Sequence, residues 1–487
     1  MGATIPFRGF TPSVDPTTPG AVLDCVNMVP TLRGMKAAPT PSPIGAAPFP
    51  VAVTGAATAE LLSGAYRTIV GTSSKLYEVV GSAQNDVSGA AYTGGANRWR
   101  FCQFGNATIA SNGADPIQQS ISVGNFAAIA GAPAAAIIEV TQGFVFAFDT
   151  TDPTDGHRPN GWTCSGIYDQ TVWTPSAATQ CEKGVIIDTP GKITAGRVLG
   201  TNIVAYKKDS MYYGTYQGPP VVWAFNQISP IVGTPCQEAV VAIGTRHVFL
   251  GSDAQVYTFD GSAVNPIGDE VKDWLYANWS QVYRDRVESY HDKENSLVYW
   301  YFCSANSSAP VPDKCLVLNY RTGKFGRADA RIEAAVVYVS GQITWDSMGA
   351  LPGVSTWSTL PQVPYNSSFW SQASEIPAII DTTHTLQSLS GVSTNSSITS
   401  GWFGDDSDYM YVAGIVPRFG AQPTACSGTA AALSSLGGTP TAQTIGDMYD
   451  GELAADFCCR YAQITLNFTG NHEILGAVPR IQPAGSI

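Results

Sequence analysis

The chain has little charge and no basic surface patch. Only 13% of its 487 residues are charged, and its 26 Lys and Arg form no cluster; RTGKFGR (321–327), the densest basic stretch, is short. Sequence-specific DNA binding needs cations to meet phosphates, so that class is excluded. Long apolar runs are missing too. AAIAGAPAAAIIEV (127–140) comes closest and is broken by Gly131 and Pro133, so no membrane span is expected. The opening MGATIPFRGFTPSVDP has no basic start ahead of an apolar core, and no secretion signal is expected. The ten cysteines are scattered, without a CxxC pair or a metal-ligand rhythm. Reduced, buried thiols follow as the expectation, with Cys303 and Cys315 the pair placed for a cross-strand approach across a hairpin.

Catalytic signatures are also lacking. There is no GxSxG elbow, no Walker loop and no GxGxxG, and the histidines (His157, His247, His291, His384, His472) lie far apart. Propeller glycosidases use paired carboxylates, and no motif points to such a pair. Catalytic, cofactor-binding and metal-binding residues are therefore all read as none, and no cofactor is expected. Two acid-rich stretches are candidate sites. GDDSD (404–408) brings Asp405, Asp406 and Asp408 together as a calcium loop would, but lacks the bend glycine and the distal glutamate; it reads as a solvated turn. DTTDPTDGHRPNGW (149–162), with His157 and Arg158, reads as an exposed loop.

What is abundant is turn chemistry between β-branched and aromatic runs. The chain has 49 glycines and 32 prolines. One unit recurs: RTIVGTSSKLYEVVGS (67–82), NIVAYKKDSMYYGTYQG (202–218), HVFLGSDAQVYTFDGSAVNPIG (247–268) and AIIDTTHTLQSLSG (378–391). Each reads as a β-hairpin. Repetition of small antiparallel sheets at roughly 25–45-residue spacing predicts an all-β chain containing a β-propeller of about seven blades, with six or eight also open. Strand-and-turn units fall near 65–82, 99–120, 137–175, 198–230, 239–268, 296–329, 334–348 and 375–391.

Three regions follow. Residues 1–50, rich in Pro and Thr, read as an extended arm lying across other surfaces. Residues 51–391 hold the propeller, with a helical insert at about 269–279 where Val271, Trp274, Leu275 and Asn278 share one face. After the linker VSTNSS (392–397), residues 392–487 have longer strands. In RYAQITLNF, Tyr461, Gln463, Thr465 and Asn467 alternate with Ala462, Ile464, Leu466 and Phe468, predicting a half-buried strand of a small β-sandwich.

The order of these pieces resembles a family. CVNMVPTLRGMKAAP (25–39), the blade NIVAYKKDSMYYGTYQG, the blade and helix from HVFLGSDAQVYTFDG to DEVKDWL, the blade VESYHDKENSLVYWYF with KCLVLNYRTGKFGRAD, and the closing GWFGDDSDYMYVAGIVPRF and RYAQITLNFTGNHEILGAVPRIQPAG are together similar to the tail nozzle, or tail hub, proteins of short-tailed bacteriophages. The resemblance covers nearly the whole chain and rests on pattern and order. It implies a non-enzymatic virion protein: a homo-oligomeric ring, commonly a hexamer, below the portal and adaptor. Such a ring extends the DNA channel and serves in genome retention and ejection. The implied partners are further copies of the chain, a head–tail adaptor protein, tail fibre or tail spike proteins, and packaged double-stranded DNA passing without sequence-specific contact. The implied location is the virion tail, with the host cytoplasm during assembly. The alternative is a tail-associated propeller that binds or degrades a host surface glycan. The net charge of −12 agrees with a channel wall that does not hold DNA.

Overall fold

The computed structural model describes residues 4–81, 83–339, 356 and 375–486. The chain divides into two compact units: residues 1–40, 186–332 and 390–487 in one, and 41–185 with 333–389 in the other.

The second unit is built from four antiparallel four-stranded sheets. Meander A comprises Val53–Glu60, Tyr66–Thr72, Leu76–Val80 and Ala83–Asp86. Meander B comprises Arg100–Phe104, Ala107–Ser111, Gln118–Ile121 and Ala127–Ala128. Meander C comprises Ala134–Thr141, Phe144–Asp152, Gly156–Cys164 and Glu182–Val185. Meander G takes three strands from late in the chain, Ile332–Val339, Glu375–Asp381 and Leu386–Gly391, and its fourth, Thr40–Pro43, from near the start. The expected unit at 334–348 thus has its first strand in meander G, and its residues after 339 lie outside the described set.

Burial grades across each meander. The second strands of A and B, YRTIVGT and ATIAS, are buried along almost their whole length, the polar Arg67, Thr68 and Thr108 included. Both of their faces are covered, which is why they do not alternate. Ile69, Leu76, Trp99, Ala110 and Phe126 join A to B; Ile109, Ala135, Ile138 and Val145 join B to C; Val53, Val70, Ala334 and Ile380 join G to A. The fourth strands of A and B are short and mostly exposed, which blunts an edge that would otherwise template further pairing.

The first unit repeats the pattern. Meander D comprises Ile193–Leu199, Asn202–Lys207, Met211–Tyr216 and Trp223–Ser229; meander E comprises Val240–Ile243, Arg246–Leu250, Val256–Phe259 and Val264–Pro266. Val204, Tyr206, Met211, Val240 and Phe249 pack between them. Meander F comprises Val287–Asp292, Leu297–Phe302, Lys314–Asn319 and Lys324–Arg327. Its fourth strand is not an edge, because Arg327 pairs with Met28 in the strand Met28–Pro30. The chain is therefore all-β and of β-propeller type, but the expected seven blades are corrected to six, each a self-contained four-stranded sheet. Meander F belongs instead to a larger sheet of sixteen strands.

That sheet runs from meander F through the N-terminal strands Met28–Pro30 and Met35–Ala37 into the C-terminal strands. The longest pairing joins Asp408–Ala421 to Glu473–Ser486. Tyr461–Thr469 alternates as expected, with Ala462, Ile464, Leu466 and Phe468 buried. The arm is strand-paired: Ile5 and Pro6 face Ala477 and Gly476, and Val22–Val26 pairs with Ser396–Ser400. Phe7 and Phe10 are fully buried. Three boundaries shift. The expected arm, 1–50, contains a strand of meander G. The expected linker, 392–397, ends inside the strand Ser396–Ser400. The helix is Lys272–Asn278, because residues before it form a turn in which Val271 N–H donates to Gly268 O. Leu275 and Trp279 are buried, and Trp274 packs edge-on against Phe10 and Phe302.

Candidate functional site

In the first unit a cleft of about 650 Å³ opens where the start of Asp408–Ala421 and the end of Glu473–Ser486 meet the arm segment Thr17–Gly20. Its walls are mainly apolar and include Trp402, Tyr409, Tyr461 and Pro479, with Asp405 and Asp408 at the rim.

Local backbone geometry places these groups. Gly401 N–H donates to Ala21 O and Trp402 N–H to Pro16 O, each at 2.7 Å. A Cβ on Gly401 would lie 2.5 Å from Pro16 O, so the arm seats directly on a glycine. Gly404 has φ +147°, and its Cβ would lie 1.8 Å from Arg460 O; only glycine serves there. The chain then turns. Asp405 accepts the Ser407 backbone N–H at 2.7 Å and also its hydroxyl, and these bonds hold the Asp405 carboxyl below its usual range. The hydrogen bond between the Tyr461 hydroxyl and Asp406 pushes that phenol up to about 12, so it remains a donor at neutral pH. The Arg460 guanidinium lies 5.2 Å from the centre of the Tyr409 ring.

The acid turn GDDSD is thus a turn before a strand, and it borders the cleft. The sequence reading missed the aromatics around it. The signal was present in GWFGDDSDYMY, where rings flank the acids on both sides, but the contributions of Tyr461 and Pro479 depend on pairings no local pattern reveals.

The other candidates stay apart. Residues 149–162 are corrected from an exposed loop to a hairpin between Phe144–Asp152 and Gly156–Cys164. Its acids have close partners: His157 Nε2 lies 2.7 Å from Asp149, and the Arg158 and Lys183 cations lie 2.7 Å and 2.5 Å from Asp155. Cross-strand charge pairs replaced the apolar alternation that signals a strand. His247 is buried, its Nδ1 accepting from the Tyr206 hydroxyl at 2.7 Å and its Nε2 donating to Val198 O at 2.8 Å. His384 pairs with Glu333 at 2.8 Å. All ten cysteines are free. The register sets Tyr301, not Cys303, opposite Cys315, so the expected cross-strand approach does not occur. Cys458 is exposed and Cys102 half-buried, while the other eight are buried. Among the described residues no cluster of three or more His, Cys, Asp or Glu is placed to hold a metal ion, and no helix is long and apolar enough to cross a membrane.

The chain matches no protein-family model and no curated protein. Among solved structures it is similar to the WD40 domain of Neurospora crassa Pan2 at 10% identity and a TM-score of 0.40, covering 71% of this chain and 94% of that one. It is similar to the computationally designed Ika8 protein at 11% identity and a TM-score of 0.35, covering 72% and 99%. For apo AztD from Citrobacter koseri the identity is 10% and the TM-score 0.36, covering 57% and 72%.

Proposed function

We propose that this protein is a structural component of a short-tailed phage virion, the nozzle of the tail. In this reading the four-stranded meanders are the blades of a propeller, and the C-terminal strands form a sandwich. About six copies surround a channel below the adaptor, carry fibres or spikes, and pass packaged DNA outward. The protein has no enzymatic role.

The observation that supports this best is the sixteen-stranded sheet. It links the N-terminal arm, meander F and the C-terminal strands through one hydrogen-bond network, as suits a part that transmits load rather than one that opens around a substrate. The resemblance in order of pieces and the acidic balance of 38 Asp and Glu against 26 Lys and Arg point the same way. Electron microscopy and mass photometry of the purified chain, alone and with an adaptor ring, test the proposal. Rings of about six copies around an open channel are the expected result. A stable monomer that neither oligomerises nor joins the adaptor, or one that hydrolyses host polysaccharide, overturns it.

A further inference from the structure

The cleft beside Trp402 has features that a purely architectural role does not use. Its walls are apolar and aromatic, it is large enough for a few residues of an extended peptide, and its rim is acidic. Asp405 and Asp408, from one turn, line it, while the nearby Arg460 guanidinium lies over the Tyr409 ring. The arrangement already accepts one guanidinium, since Arg460 lies on the Tyr409 ring. Aromatic faces attract cations, and more strongly where water is displaced. The other polar side chains of the lining, Thr4, Thr17, Thr18 and Gln482, are uncharged, so the two carboxylates favour a cationic ligand over a neutral one. Proline and aromatic walls suit an extended, proline-bearing chain.

We propose that this cleft docks a short extended peptide segment of a partner protein, anchored by an arginine or lysine. The cationic head meets Asp405 and Asp408 at the rim, and its apolar stem and neighbouring residues lie against Trp402 and Tyr461. The Thr17–Gly20 segment forms one wall, so the site needs the arm in place.

The test uses the full chain and a fluorescein-labelled octapeptide of alternating proline and arginine, read by anisotropy. Binding should weaken about tenfold or more in the double variant D405N/D408N, and comparably in W402A. It should also weaken as salt rises from about 0.05 to 0.3 M. Circular dichroism and thermal melts check that the variants fold; the double variant changes exposed side chains, so it keeps the test valid if W402A proves unstable. Absence of binding at millimolar peptide, equal binding of a proline–glutamate octapeptide, unchanged affinity in D405N/D408N, or displacement of the peptide by maltohexaose overturns the proposal.

Discussion

His247 is a neutral imidazole held by two buried hydrogen bonds, and burial pushes it from the ordinary 6.5 down to about 4. Because the folded value is depressed, the unfolded chain takes up the proton first as pH falls. The stabilisation is complete above pH 6.5 and is lost progressively down to about pH 4. The difference corresponds to about 3 kcal/mol. Urea titrations across that range should show the loss, and a His247→Gln variant should flatten it. Tyr206→Phe removes the donor to Nδ1 and should cost about 1–2 kcal/mol. Arg327 offers a second test. It bonds Asp24 at 2.5 Å and Asp329 at 2.6 Å, and lies over the Trp274 ring at 5.1 Å. Arg327→Ala should cost about 2–3 kcal/mol in denaturant unfolding, less than for a fully buried pair because Asp24 is half exposed. Neither network was legible in the sequence. The Tyr206–His247 and Asp24–Arg327 partners lie on different strands, and nothing local marks them.

Hairpins were the most legible elements, since their turn residues and β-branched runs are adjacent. The pairs Tyr66–Thr72 with Leu76–Val80 and Asn202–Lys207 with Met211–Tyr216 fall where the repeated unit placed them. The alternation in Tyr461–Thr469 was equally plain. What the pattern did not carry was partnership at long range: that Thr40–Pro43 is the last strand of meander G, or that Lys324–Arg327 continues into the arm. The prolines and threonines of the arm mark it as extended, but not that Phe7 and Phe10 are fully buried. Phe10→Ala should therefore cost about 3–5 kcal/mol, seen as a lowered denaturant midpoint. Gly404→Ala, with a Cβ directed at Arg460 O, should cost about 2 kcal/mol or more and weaken peptide docking at the cleft, measured by the same anisotropy assay.

For the whole molecule, a net charge of −12 sets how it meets nucleic acid. Duplex DNA should bind weakly at about 0.1 M salt, where exposed charges farther apart than about 10 Å are screened. Tight, salt-sensitive binding in filter or anisotropy assays would reveal a cationic surface that the nozzle reading does not accommodate. The pairing of Thr40–Pro43 with Leu386–Gly391, and of Ile5–Pro6 with Ala477 and Gly476, also bears on how the protein is made. Each early strand must wait for a partner made more than 300 residues later. Until those partners emerge from the ribosome, two sets of β-strands have unsatisfied edges, so folding is slow and the nascent protein is exposed to aggregation. Recovery of native protein should therefore rise when synthesis is cooled or chaperones are supplied, and a chain ending before residue 386 should collect as insoluble material.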